Sequence, residues 1–303
     1  MSDITLTASM RSNLLSLQNT QSLMDMTQER LSTGKKVNSA IDNPSAYYTA
    51  QSLNNRASDL SALLDSMGQA VQTIKAADEA ISSITSFAEQ AKAVASSALD
   101  SSDASEVSAY QDQFNEIRKQ ITALSEDAGY KGVNLLAKND LEVVFNEGRS
   151  SSITITGVEA NAEKLGINEA ENWNKDLAAK KEALDTAKEG DDAGAITTAQ
   201  EEYDEALAAA KEAIKTSIGE VETAISTLRS MASTFGNNYS IVENRQEFTE
   251  NLINVLTEGA DNLTLADMNE ESANMLALQT RQQLAINSLS LASQASQSVL
   301  KLF

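Results

Sequence analysis

Apolar residues recur at alternating three- and four-residue steps through most of this chain, the pattern of helices that pack along a seam. Met10, Leu14, Leu17, Gln21, Met24, Gln28 and Leu31 follow it near one end. At the other end Met275, Leu278, Ala285, Leu289, Ala292, Val299 and Phe303 fall on one heptad frame, while Leu276, Leu284, Ile286 and Leu291 add apolar surface elsewhere. Three further stretches keep the same period. Leu60, Leu64, Met67, Val71, Ile74, Ala77, Ile81, Ile84 and alanines up to Ala95 predict one long helix, ended by the cluster Asp100 to Asp103. Val107, Tyr110, Phe114, Ile117, Ile121 and Leu124 predict a second that turns back beside it. A third runs from Leu207 through Val221, Leu228, Phe235 and Val242 to Leu263.

The period drops to two in only one region. Leu141, Val143 and Phe145 alternate with polar or smaller neighbours, as do Ile153 and Ile155, with a glycine-containing loop between them, so residues 140–157 read as a β-hairpin. Residues 169–213 are acidic and alanine-rich, with a break at Glu189 to Gly194, and read as two charged helical arms. Trp173 opens this insert and is expected to pack on the hairpin. The fold class is therefore mainly α: long coiled-coil helices, a small β-hairpin region and a short helical, acidic central insert.

Charge changes how the ends are read. The chain carries a formal net charge of −21, from 44 acidic against 23 basic side chains. Residues 1–24 nevertheless hold only Asp3 and Arg11, and residues 272–303 only Arg281 and Lys301. A helix that is apolar on several sides and almost uncharged needs partners around it. The acidic balance excludes nucleic acid and anionic membranes, which demand clustered positive charge. No stretch approaches the roughly 18 consecutive apolar residues of a membrane span. The first twenty residues lack a basic start followed by an apolar run, so no secretory signal is visible, and on that ground alone the chain reads as cytoplasmic.

Candidate chemistry is sparse. With no His and no Cys, the commonest general base, metal ligand and thiol nucleophile are missing. No glycine-rich phosphate loop occurs, and the carboxylates of the insert match no calcium loop, so a solvated acidic face outweighs a cation site. The expectation is a chain with no enzyme activity, no cofactor and no metal. Ser150, Ser151, Ser152 and Thr154 in the hairpin loop are candidate glycosylation sites, set against the plainer reading of a hydroxyl-rich turn.

The most specific stretch is LSTGKKVNSAIDNPSAYYTAQSL, residues 31–53. Gly34 with Lys35 and Lys36 reads as the C-terminal cap of the first helix, its cations set against that helix's dipole. Asp42, Asn43 and Pro44 make a second interruption, and Pro44, the chain's single proline, suits the first turn of a new helix. This stretch resembles the signature near the amino end of bacterial flagellins. The likeness continues through GYKGVNLL at residues 129–136, and LADMNEESANMLALQTRQQLAINSLSLASQASQSVLKLF, residues 265–303, resembles the carboxyl-terminal pattern of the same family. It covers about residues 4–168 and 214–303.

The resemblance implies a structural subunit that self-assembles into the helical flagellar filament used for swimming. It implies that helices from both chain ends pack side by side as an inner-tube coiled coil, residues 1–43 with 264–303. Residues 44–168 and 214–263 would form the outer-tube helical domain, and residues 169–213 a surface insert. Met10, Leu14, Leu17, Met24, Leu31, Met275, Leu278, Leu284, Ile286, Leu289, Leu291, Val299 and Phe303 would line the coiled-coil and polymerisation interfaces. Gly34, Asp42, Asn43 and Pro44 would form the interdomain connector. Implied partners are other flagellin subunits, paralogues included, the flagellar export apparatus with its chaperone, and the filament cap and hook-associated proteins. The implied location is extracellular, reached through the flagellar secretion channel without a cleaved signal peptide, which overrules the cytoplasmic reading. Gln90 departs from the pattern of relatives that an innate immune receptor detects, where arginine stands.

Two rivals are weighed against this. A hook-filament junction protein shares the amino-terminal motif, but the terminal SVLKLF block favours flagellin. An intracellular coiled-coil scaffold would carry charged flanking positions throughout its heptads, and these ends lack them.

Overall fold

The structure, a computed structural model, describes residues 8–190 and 192–300, except the side chains at 296, 297, 299 and 300. Among the described residues six helices and one hairpin follow in order: α1 (Ala8–Thr33), α2 (Pro44–Asp100), α3 (Ala104–Asp127), β1 (Leu141–Val144), β2 (Ser152–Ile155), α4 (Leu177–Glu189), α5 (Ala193–Thr264) and α6 (Met268–Leu300). They divide into two compact units. Unit 1 comprises residues 1–59 and 251–303, and unit 2 residues 60–250.

Unit 2 is built on the predicted seams. Met67, Ile74, Ala77, Ile81, Ile84, Ala88, Ala91 and Ala95 of α2 are buried, together with Val107, Phe114 and Ile121 of α3 and Ile214, Val221, Leu228, Phe235 and Val242 of α5. Helices α2 and α5 run antiparallel here. Lys75 lies over the Tyr239 ring, 5.4 Å from its centroid, and equally far along both helices Lys92 pairs with Glu222 at 2.8 Å. Helix α3 doubles back along α2, so that just beyond its end the Tyr130 hydroxyl donates to Gln69 Oε1 at 3.0 Å. The reversal is set by Asp103, whose carboxylate caps the first turn of α3 through the Ser105 N–H.

After α3 the chain is fastened by side chains rather than by regular structure. Asn134 donates to the Ser125 and Glu126 carbonyls at 2.8 and 2.9 Å, satisfying the last turn of α3, while its own oxygen accepts from the Leu136 N–H. The antiparallel hairpin pairs Leu141 with Ile155 and Val144 with Ser152, turning Val143 and Ile155 into the core. Gly157 is required by a close approach, since a Cβ there would lie 2.3 Å from the Asn139 carbonyl oxygen. Arg118 of α3 donates to the Ile167 carbonyl at 2.9 Å, and Asn115 accepts from the Ala170 N–H at 2.9 Å.

The expectation for Trp173 is corrected. Its ring packs at 4.9 Å between centroids on Phe114 of α3, and its indole N–H donates to Ser217 of α5 at 3.2 Å. A buried indole needs an acceptor, and the strands do not supply it; a serine on α5 does. The acidic insert forms the two predicted arms. Helix α4 buries Leu177 and Leu184, and charge pairs hold it: Lys181 with Asp103 at 2.5 Å and Lys180 with Glu202 at 2.7 Å. Alongside them the Tyr203 hydroxyl donates to the Ser102 carbonyl at 2.6 Å. The hydrogen bond from Lys181 leads those that pull Asp103 well below the usual carboxylate range, and Lys181 and Lys180 are raised by their acidic partners.

Candidate assembly surface

Unit 1 holds the two sparsely charged end helices, α1 and α6, packed against each other. They run antiparallel, because Arg30 pairs with Glu271 at 2.9 Å while Gln282 donates to Gln21 at 2.7 Å. Glu271 is 7% exposed, and the Arg30 guanidinium gives its buried carboxylate a charged partner.

The seam differs from the expected one in α1. The side chains turned inward are Met10, Asn13, Leu17, Thr20, Met24, Thr27 and Leu31, whereas Leu14 and Gln28 are exposed, Leu14 at 37%, and Gln21 lies at the seam's rim, where it accepts from Gln282. Both sets satisfy three-four alternation, and they share Met10, Leu17, Met24 and Leu31. Threonine is tolerated inside because its hydroxyl can turn back to the helix, as Thr20 does to the Ser16 carbonyl at 2.8 Å. In α6 the inward set is Glu271, Met275, Leu278, Gln282, Ala285, Leu289 and Ala292, which agrees with the expected frame over the described side chains. The side chain of Val299 and all of Phe303 lie outside the described residues.

The intramolecular seam is thus small and partly polar, and the larger apolar side chains go elsewhere. In α1, Leu15, Leu23 and Met26 are 60%, 45% and 46% exposed; in α6, Leu276, Leu284 and Leu291 are 66%, 64% and 66% exposed, with Ile286 at 50%. At about 100° per residue the α6 trio falls on a face roughly opposite its inward seam, and in α1 Leu15 and Met26 fall on the far side with Leu23 at the flank. Each terminal helix therefore carries two apolar stripes, one spent within the subunit and one bare. Leu15, Leu23 and Met26 escape a search that follows a single seam; the adjacent pair Leu14–Leu15 was the available signal, since one helix face cannot bury both.

At the foot of this pair both chain segments break together. Gly34 ends α1 with φ of 71° and donates its N–H to the Arg30 carbonyl at 2.8 Å. Lys36 and Val37 donate to the Thr264 carbonyl at the end of α5, and Ala266 donates to the Gly34 carbonyl. The Lys36 ammonium reaches the Asn262 carbonyl at 3.0 Å, so this cation serves the C-terminus of α5 rather than that of α1. Asn43 Oδ1 accepts from the Ala46 N–H at 3.1 Å and caps α2, with Pro44 as its first residue. Ser150, Ser152 and Thr154 are exposed and Ser151 half-buried; Ser150 Oγ accepts from Asn146 at 2.7 Å.

Among the described residues no group of His, Cys, Asp or Glu is placed to hold a metal ion, and no helix is long and apolar enough to cross a membrane. A groove of about 770 Å³ runs between α3 and α4, lined by Ser108, Asp112, Lys181, Asp185 and Glu189 among others. It is open, acidic and without convergent chemistry.

Comparison with known proteins bears on the two ends and on the whole length. The family described as the bacterial flagellin N-terminal helical region matches residues 4–140, and the bacterial flagellin C-terminal helical region matches residues 218–303. A flagellin of Brucella melitensis is 30% identical over 305 residues, covering 100% of this chain and 99% of its own. Flagellin FljM of Caulobacter vibrioides is 29% identical across 96% of this chain and 95% of its own. Flagellin C of Rhizobium meliloti is 28% identical across 92% of each.

Proposed function

This chain belongs to the bacterial flagellins and is a structural subunit of the flagellar filament, and from that premise we propose that the bare apolar faces of α1 and α6 are the surface through which copies assemble. The observation that carries the proposal is the placement of Leu15, Met26, Leu276, Leu284 and Leu291 on the side away from the intramolecular seam, with Leu23 and Ile286 exposed at its flanks. Apolar stripes of this size, nearly free of charge, are stable only when covered. Head-to-tail contacts of that kind do not close on themselves and propagate as an open helix.

In this reading the inner-tube unit is residues 1–43 with 264–303, and the joined breaks at Gly34 and Thr264 are its boundary. Residues 44–168 with 214–263 form the surrounding wall and residues 169–213 its outer surface. Met10, Leu17, Met24, Leu31, Met275, Leu278 and Leu289 hold α1 to α6; Leu14, Leu284, Ile286 and Leu291 face other subunits. Gly34, Asp42, Asn43 and Pro44 act as the connector. Ser150, Ser152 and Thr154, at the exposed rim of the hairpin, are the best placed for glycosylation. The chain works without catalytic activity, travels to the filament through the flagellar export channel with its chaperone, and meets the cap and hook-associated proteins there. Likeness to flagellins along nearly the whole chain supports the filament over the hook-filament junction.

Removing residues 284–303 tests the surface. The shortened chain should stay helical over residues 60–260 by circular dichroism yet fail to extend filament seeds; normal filaments from it would refute the assignment.

A further inference from the structure

Between α1 and α2 the connector closes into a pinned turn. Asp42 Oδ2 accepts from the Ser39 N–H at 2.8 Å, the Asn38 N–H at 3.0 Å and the Ser39 hydroxyl at 3.2 Å. The Ser39 oxygen accepts in turn from the Ile41 N–H at 3.3 Å, and the Asp42 N–H donates back to the Ser39 carbonyl at 3.2 Å. These backbone donors, that of Ser39 foremost, hold the Asp42 carboxyl below its ordinary value.

At the tip of this turn sits Ile41, 93% exposed, more than any other large hydrophobic side chain among the described residues. A connector whose only duty was to join two helices would have no use for it. The surroundings suit contact with a like-charged neighbour: from Val37 to Leu53 the single charged residue is Asp42, in a chain of net charge −21. Two copies approaching each other meet little repulsion there. A β-branched side chain on a turn already fixed by hydrogen bonds also has little freedom left to lose on docking.

We propose that Ile41 is an intersubunit anchor, presented by the Asp42-pinned turn to seat in an apolar site on a second copy of this chain. The proposal rests on the filament-subunit reading, which supplies that second copy. The turn belongs to the same unit as the bare faces of α1 and α6, so the surface left for other copies extends from the terminal helices to the connector.

The test uses the full chain, elongating sheared filament seeds, with the critical concentration read by sedimentation. Ile41→Ser should raise that concentration about ten- to a hundredfold, the effect of losing one buried isoleucine, and leave the melting of the monomer unchanged. Ile41→Leu should restore growth. Asp42→Ala, which frees the turn but keeps the isoleucine, should give a smaller rise. A critical concentration for Ile41→Ser equal to that of the unaltered chain would overturn the proposal and leave the subunit reading intact. A rise accompanied by a matching loss of monomer stability would overturn it too, by giving Ile41 a structural role. Failure of the unaltered chain to extend seeds would bring down the subunit reading and the anchor together.

Discussion

Unit 2 encloses its apolar side chains and unit 1 displays them. Phe114, Ile121, Phe235 and Trp173 in unit 2 are buried almost completely, and among its described large hydrophobic residues only Ile241 and Phe248 stand exposed. Among the described residues of unit 1 the buried apolar ones are Met10, Val37, Ala50, Ala57, Leu256 and Ala260, three of them alanines, while many leucines, isoleucines and methionines face out. Both units use the same helical period. What differs is where the large side chains sit on it. A seam of Phe, Ile and Trp completes a fold by itself; a seam in which Met and Leu alternate with Asn, Thr, Gln and Ala holds two helices together and leaves much of the hydrophobic driving force for contacts with other molecules. On the proposed reading the contrast divides the work within one chain: one unit would be stable as a monomer, the other stabilised by the polymer.

Substitutions can break this contrast from either side. The largest effect is expected from Leu284→Ser, Ile286→Ser and Leu291→Ser combined. Each forfeits roughly 1–2 kcal/mol of burial in the filament, so the critical concentration should rise by about two to four orders of magnitude. Monomer unfolding should shift by no more than about 0.5 kcal/mol, because these positions are already exposed. Denaturant unfolding of the monomer that falls by several kcal/mol would show that the three close the subunit itself. Phe114→Ala is the reverse case. It should cost the monomer about 3–5 kcal/mol through the cavity left against Trp173, with assembly retained below the lowered melting temperature. Undiminished stability would deny unit 2 its self-sufficient core.

A smaller effect is expected from acid on the insert. The folded value of Asp103 lies below its ordinary 3.8, so the pair with Lys181 contributes fully above that pH and fades as the pH falls below it toward the lowered value. Lys181 is raised above 10.5, and its contribution fades only as the pH climbs through that higher value. Hydrogen exchange in α4 should therefore be flat near neutrality and lose protection below about pH 4. Asp103→Asn should abolish that pH dependence. Because the pair is partly exposed, the change is modest, and a wild-type profile unaltered by the substitution would detach α4's docking from this pair.

Most of the fold was legible because a sustained three-four period admits only long helices, and the single stretch of period two marked the hairpin at Leu141 to Ile155. The bare surface was harder to read. Met10–Leu14–Leu17 and Met10–Asn13–Leu17 both satisfy the period, and preferring leucine over asparagine for the seam is sound only where a helix has one apolar partner. Here α1 carries a second, exposed apolar stripe, so that preference chose the wrong register. Trp173 was misplaced for another reason: its hydrogen-bond acceptor, Ser217, lies 44 positions away on a helix that no local pattern connects to it. Ile41 had no periodic context at all, and only the exposure of its folded turn distinguishes it. In the connector, Gly34 and Pro44 announced the breaks, but not that Lys36 would reach across to α5.

The central claim is that the outer faces of α1 and α6 are open in the subunit and covered in the filament. The chain has no cysteine, so a single thiol can report each site cleanly. Leu284→Cys on α6 and Thr198→Cys on the exposed arm of the insert would each be labelled with a maleimide, as monomer and as filament. Both should react freely in the monomer, and assembly should protect position 284 while leaving position 198 reactive. Equal labelling of position 284 before and after assembly would contradict the account.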